Sequence, residues 1–165
     1  MDLEAVRRHI RDWVENTLSI PSPVFNNLPP CPYSREALAK NRVDIRCVQG
    51  SSLLTTIAEI GKAWDDSHTL ILTACEPATI AAEELTRGIA EMNRVFESAD
   101  LICFCDHPDC TDAKYKVTSA NGKYVLVGVQ RLSNFIEAAK PLYKRKYFEG
   151  VSKQFSLTKN MSKLH

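Results

Sequence analysis

The stretch that decides the fold runs from residue 69 to residue 105, TLILTACEPATIAAEELTRGIAEMNRVFESADLICFC. Its two ends, Thr69–Cys75 and Leu101–Cys105, are short apolar runs of strand length, too short for buried helices. Between them Leu85, Ile89, Met92 and Phe96 recur at three and four residues, opposed by Glu84, Arg87, Glu91 and Arg94. That spacing predicts an amphipathic helix over about Ala78 to Glu97, interrupted in propensity only at Gly88, at about 1 kcal/mol. A strand, a helix and a second strand in this order predict part of a sheet with parallel strands, covered by helices.

Working toward the N-terminus, Arg42–Val48 alternates, with Val43, Ile45 and Cys47 on one side and Arg42, Asp44 and Arg46 on the other. Such alternation predicts a strand at an edge or with one wet face. Leu53, Leu54, Ile57, Ile60, Gly61 and Trp64 then mark a helix ended by Asp65 and Asp66. The chain opens with a further helix from Leu3 to about Leu18, whose apolar stripe of Val6, Ile10, Trp13 and Val14 should dock on the domain. Between it and a short helix over SREALAKN, capped by Ser34 and closed by Asn41, lies IPSPVFNNLPPCP, where prolines forbid both a helix interior and a central strand. Long irregular connections of this kind often serve a site.

Working toward the C-terminus, Tyr115–Thr118 and Tyr124–Val129 are joined through SANGK, and Asn121-Gly122 is the strongest hairpin signal in the chain. The hairpin is expected to add an antiparallel edge. Ser133 caps a last helix that Pro141 kinks or restarts. The fold expected is α/β: one domain with a mixed sheet containing parallel strands, a C-terminal antiparallel hairpin and covering helices. The compact domain is expected to span residues 1–150, followed by a basic, flexible tail over 151–165.

Composition agrees with one self-sufficient domain. The chain has 165 residues, 44% hydrophobic and 25% charged, a balance that excludes a disordered chain. No apolar run reaches the length of a membrane span, and the charged start MDLEAVRRHIRDW lacks the apolar region of a signal peptide, so a cytoplasmic protein with no membrane partner is expected. The net charge of +1 conceals a division. Residues 1–139 hold 14 Lys and Arg against 19 Asp and Glu, whereas residues 140–165 hold 7 against 1. A nucleic-acid contact is therefore not expected except through the basic tail. Tyr143, Tyr147 and Phe148 near that tail could instead meet another chain, a second copy included.

Six cysteines, Cys31, Cys47, Cys75, Cys103, Cys105 and Cys110, have irregular spacing, and a chain of this length needs no disulfide framework. Cys47 and Cys75 read as small core hydrophobes within strands. Chemistry concentrates at two other places. Cys31 stands just before a helix start, where unpaired amides favour a thiolate. Tyr33 offers an aromatic wall, and Arg35 and Arg42 offer positive charge for an anionic group; an equally simple role for Cys31 is to fill an apolar pocket. The second place is Cys103, Cys105, His107 and Cys110, three sulfurs and an imidazole chemically suited to zinc. Strand periodicity puts Cys103, Cys105 and His107 on one face, although ligands two apart on a straight strand stand wider than a tetrahedral site wants. His107 could alternatively act as acid or base, with Glu76 at the same strand-end rim. His9, His68 and His165 read as surface residues. There is no phosphate-binding glycine loop, dinucleotide fingerprint or His-Glu-x-x-His pair.

Cys31-Pro32-Tyr33-Ser34 resembles the Cys-Pro-Tyr-Cys loop of glutaredoxins. The resemblance implies that Cys31 is the attacking thiol and that Ser34 takes the place of the resolving one, leaving a monothiol reaction with an external thiol. The strand that precedes the glutaredoxin motif and the later Val-Pro signature are both missing. Trp13, Cys31-Pro32 and His107-Pro108 together resemble a small family of uncharacterised bacterial cytosolic proteins with a tryptophan, a Cys-Pro-Phe and a Phe-His-Pro. Here Tyr33 replaces the phenylalanine and Asp106 the aromatic before histidine. That resemblance implies a shared pocket and no particular chemistry. Two functional expectations follow: a small-molecule enzyme or thiol-redox protein using Cys31 and His107 in a strand-end pocket, or a noncatalytic zinc-binding or protein-interaction module.

Overall fold

The computed structural model describes residues 1–49, 52–109 and 120–147. The helices are α1 (Leu3–Trp13), α2 (Ser34–Ala39), α3 (Leu53–Lys62), α4 (Ala82–Phe96) and α5 (Leu132–Lys144). The strands are β1 (Val43–Cys47), β2 (Leu70–Cys75), β3 (Leu101–Asp106) and β4 (Val125–Arg131). They form a mixed sheet in the order β1-β2-β4-β3. β1 is parallel to β2, and β4 is antiparallel to both β2 and β3, so the first three strands share one direction as the sequence predicts.

The antiparallel strand is not at an edge. β4 lies between β2 and β3, and its run from Val125 to Val129 is buried on both faces. The reason is visible in its composition: VLVGV is continuously apolar, the mark of a strand covered from both sides. Gly128 lets it take that place. A Cβ there would fall 2.2 Å from Cζ of Phe104, whose ring lies across the cross-strand position. The other arm of the expected hairpin, Tyr115–Thr118, lies outside the described residues, as does the tail over 151–165.

Side-chain alternation sorts the core into two layers. Ile71, Cys103, Val125, Val127 and Val129 face α3 and α4, meeting Leu53, Ile57, Leu85, Ile89 and Phe96. Ile45, Leu72, Ala74 and Leu126 face the opposite way, onto Val6, Ile10 and Val14 of the first helix. That helix continues past Trp13 as one widened turn over Val14–Leu18. α4 begins later than its pattern suggests because Pro77 first opens a separate 3-10 turn, Pro77–Thr79.

The outer strand β3 bears devices that were not apparent from periodicity. On β3, Asn93 of α4 treats Cys103 as a neighbouring strand would. Its Oδ1 accepts from the Cys103 N–H at 2.8 Å, and its Nδ2 donates to the Cys103 carbonyl at 2.8 Å. A side-chain amide thus covers part of a sheet edge. At the other end of the strands, Asp100 caps α5: its carboxylate accepts from the Ser133 N–H at 2.9 Å and hydroxyl at 2.6 Å. Ser133 is a donor here, not the expected cap.

Asp66 ties two connections together. Its carboxylate accepts from Arg131 Nε at 2.7 Å and Nη2 at 2.5 Å, and from Trp64 Nε1 at 2.6 Å. Arg131 first and Trp64 second hold its pKa down at about 2, from an ordinary value of 3.8. A carboxylate depressed on folding stabilises above the unfolded-state value and loses that contribution as pH falls through the folded one. Asp66→Asn is therefore expected to be less stable than the natural chain in urea titrations at pH 6, with the difference shrinking between pH 4 and pH 2. A pH-independent difference would contradict this assignment.

Candidate functional site

The proline-rich connection folds back onto the C-terminal helix. Ser22 and Leu28 form an isolated bridge, and Phe25 stacks on Tyr147 with ring centroids 5.1 Å apart and planes at 27°. The Tyr147 hydroxyl donates to the Pro30 carbonyl, the Tyr33 hydroxyl donates to Ala138 at 3.0 Å, and Asn26 Nδ2 donates to Arg145 at 2.9 Å. Tyr147 is 6% exposed, so it is an anchor of this packing and not part of an open aromatic surface. Tyr143 remains exposed, and Phe148 lies outside the described residues.

These contacts place Cys31 at the floor of a half-buried loop. Its N–H donates to the Leu18 carbonyl at 2.9 Å, which fixes it to the end of the opening helix. Its own carbonyl accepts from the Ser34 N–H at 3.2 Å and the Ser34 hydroxyl at 2.8 Å. Ser34 is the first residue of α2 and reaches backward, so Tyr33 takes the cap position. Burial pushes the Cys31 thiol above its ordinary value of 9.0, opposed by hydrogen bonding from the Ser34 side chain and the amides of Tyr33 and Ser34. Desolvation outweighs the donors, leaving a protonated thiol at neutral pH. Should the thiolate form, the same donors stand ready, and the single Ser34 proton can turn from the carbonyl to the sulfur.

The strand exit is built differently. His107 is 1% exposed, and both ring nitrogens are engaged by backbone. Nδ1 accepts from the Asp109 N–H at 3.0 Å, which leaves the ring proton on Nε2, donated to the Ile80 carbonyl at 3.0 Å. The tautomer follows because an amide N–H can only donate and a carbonyl can only accept. His107 therefore ties the end of β3 to the connection entering α4. Cys103 points to the same layer and donates its thiol to Asn93 Oδ1 at 3.2 Å, while burial pushes its pKa up to about 12.

In the described arrangement the His107 Nδ1 lone pair accepts the Asp109 N–H and the Cys103 thiol donates to Asn93 Oδ1, so neither is turned toward a metal. Among the described residues no group of three or more His, Cys, Asp or Glu could hold a metal ion. The expected fourth ligand, Cys110, lies outside the described residues.

The expected site residues do not converge. Cys31 joins the layer of α1 and α2 through Leu18, and His107 joins that of α3 and α4 through Ile80, so the sheet stands between them. Arg42 precedes β1, where Glu36 feels its charge after that of Lys40. Glu76 follows β2 at the other rim, beside Cys47. With the register Val43↔Leu70, Arg42 stands level with Thr69, so about seven residues at ~3.3 Å each separate the Arg42 and Glu76 levels, roughly 23 Å. Tyr33 and Arg35 are exposed beside Cys31, whereas Cys47, expected in the core, is half-buried, and Cys75 is fully buried.

A polar cluster at the start of β4 escaped the sequence reading. Asn121 accepts from the Tyr124 N–H at 2.8 Å and donates to the Tyr124 carbonyl at 2.8 Å, and Asp106 accepts its N–H and side-chain amide, both at 2.7 Å. His9 Nε2 lies 3.1 Å from the Asn121 carbonyl, to which it donates. The Asn121-Gly122 dipeptide was legible as a turn, and Gly122 does take φ +69°. No protein-family model, curated protein or solved structure matches this chain. Among the described residues no helix is long and apolar enough to cross a membrane.

Proposed function

We propose that this protein is a monothiol exchange protein whose working group is Cys31. What supports the reading is the half-buried place of Cys31 at the entrance of α2, where the Ser34 hydroxyl, now on the Cys31 carbonyl, and the amides of Tyr33 and Ser34 can turn to a thiolate. In the exchange, the Cys31 thiolate attacks one sulfur of an external disulfide. A Cys31–S bond forms, the other half leaves as a thiolate, and a second external thiol then releases the bound half. Ser34 carries no sulfur, so both partners of Cys31 come from outside. Tyr33 and Arg35, exposed at the mouth, would contact the incoming molecule. His107 has no part in this chemistry, because its nitrogens serve the backbone on the other side of the sheet.

The raised thiol sets the pH dependence. Since only the thiolate reacts, alkylation of Cys31 is expected to rise about tenfold per pH unit from pH 7 toward pH 9, with no plateau below that. Ser34→Ala removes a donor that lowers the pKa, and it should slow alkylation at pH 8 by roughly threefold to tenfold. Peptide-resolved mass spectrometry after timed alkylation measures both. A plateau below pH 8, or an unchanged rate in Ser34→Ala, would overturn the role given to these donors.

A further inference from the structure

We propose that β1 is a self-pairing edge through which two copies of this chain join their sheets, an inference independent of the thiol reading. Among the described residues β1 is an outer strand whose ladder partner is β2. Its inward bonds are fixed by the Leu70 N–H on the Arg42 carbonyl and the Val48 N–H on the Ala74 carbonyl. In a parallel ladder this parity turns the N–H and C=O groups of Val43, Ile45 and Cys47 outward. No described residue hydrogen-bonds to those outward groups. The contrast is with β3, where Asn93 occupies the corresponding positions at Cys103.

The occupant is argued from charge. A second β1, antiparallel and related by a two-fold axis at Ile45, brings Val43 opposite Cys47 of the other copy and Ile45 opposite itself. All three outward-facing residues would then exchange backbone bonds. On the other face Asp44 comes opposite Arg46 of the second copy, twice. Within one chain Asp44 Oδ2 already accepts from Arg46 Nε at 2.7 Å. Pairing thus assembles four charges of alternating sign, each flanked by its opposite. Shifting the axis to Asp44 would oppose two aspartates, and shifting it to Arg46 would oppose two arginines. The strand therefore selects its own antiparallel register. Val43 and Cys47, half-buried in the single chain, would be covered on the α1 face.

Light scattering with size exclusion tests this on the full chain. The natural protein should run at twice the 18.5 kDa of one chain. Asp44→Arg and Arg46→Asp should each weaken association roughly tenfold or more, because each makes all four charges alike. An equal mixture of the two variants should recover the dimer, since one chain then offers two arginines and the other two aspartates. Val43→Pro removes an outward N–H while sparing the β2 ladder, and it should be a folded monomer by circular dichroism. A monomeric natural chain at high micromolar loading overturns the proposal, whatever else the edge binds. So does a dimer that survives both single variants, or a mixture that stays monomeric.

Discussion

Replacing His107 by alanine is expected to lower the unfolding free energy by about 3 kcal/mol, the sum of a cavity and an unsatisfied buried carbonyl. The side chain is 1% exposed, and it bonds both the Ile80 carbonyl and the Asp109 N–H. Removing it leaves the carbonyl without a donor in a place that admits little water. The imidazole also fills space against the connection entering α4, so part of the loss is packing. In a chain of this size such a change lowers the melting temperature by roughly 6 to 12 °C. His107→Gln, which can still donate one N–H, should recover part of the loss. A loss below about 1 kcal/mol in urea titration would show that His107 is not the tie described, because a buried, doubly bonded side chain cannot be removed so cheaply.

The second large effect is expected at Gly61, where the Phe96 ring of α4 packs onto α3. A Cβ there would lie 2.3 Å from Cζ and 2.5 Å from Cε1 of Phe96. Phe96 is 7% exposed and belongs to the core, so its ring has no open side toward which to swing. Gly61→Val adds three carbons at this contact and should destabilise by on the order of 3 kcal/mol, outweighing the gain of less than 1 kcal/mol from helix propensity. Truncating the ring opens the space that valine needs. The Gly61→Val, Phe96→Ala pair is therefore expected to be distinctly more stable than the two single losses added together. Strict additivity would place the strain elsewhere.

These two positions show how far the sequence could be read. The helices α3 and α4 follow from their three-and-four spacing, and β1 follows from its strict alternation, which predicts an edge or a wet face; it stands at the edge. Gly61 is visible as a residue of the α3 pattern, but nothing local says that a phenyl ring occupies its missing side chain. His107 is placed on the face of Cys103 by period two. Its partner Ile80 lies 27 residues earlier, however, and long-range backbone carbonyls leave no mark on a sequence. Asn93 did carry a signal: it stands four residues after Ile89 and three before Phe96, a polar residue on the buried stripe. Such a residue needs partners, and the edge of β3 supplies them. The central place of β4 was also legible, since VLVGV is continuously apolar, but the Asn121-Gly122 turn drew attention to a hairpin at an edge.

The thiol site divides in the same way. The helix start after Cys31 was read from Ser34 onward, and the observed α2 begins there. The desolvation that keeps the sulfur protonated was not legible, because it comes from a distant segment. Tyr147 reaches back 117 residues to the Pro30 carbonyl and covers the loop beside Cys31. A helix entrance alone would suggest a reactive thiolate; burial of the sulfur reverses the balance at neutral pH.

The most direct measurement is disulfide exchange on the folded chain. Incubation with oxidised glutathione at pH 8, followed by peptide mass analysis, should place a glutathione on Cys31 ahead of Cys47, the half-buried strand thiol, and ahead of buried Cys75. Added dithiol should remove it and return the original mass. A folded chain in which Cys47 is modified as fast as Cys31, or in which Cys31 forms no mixed disulfide, would contradict the assignment of Cys31 as the working thiol.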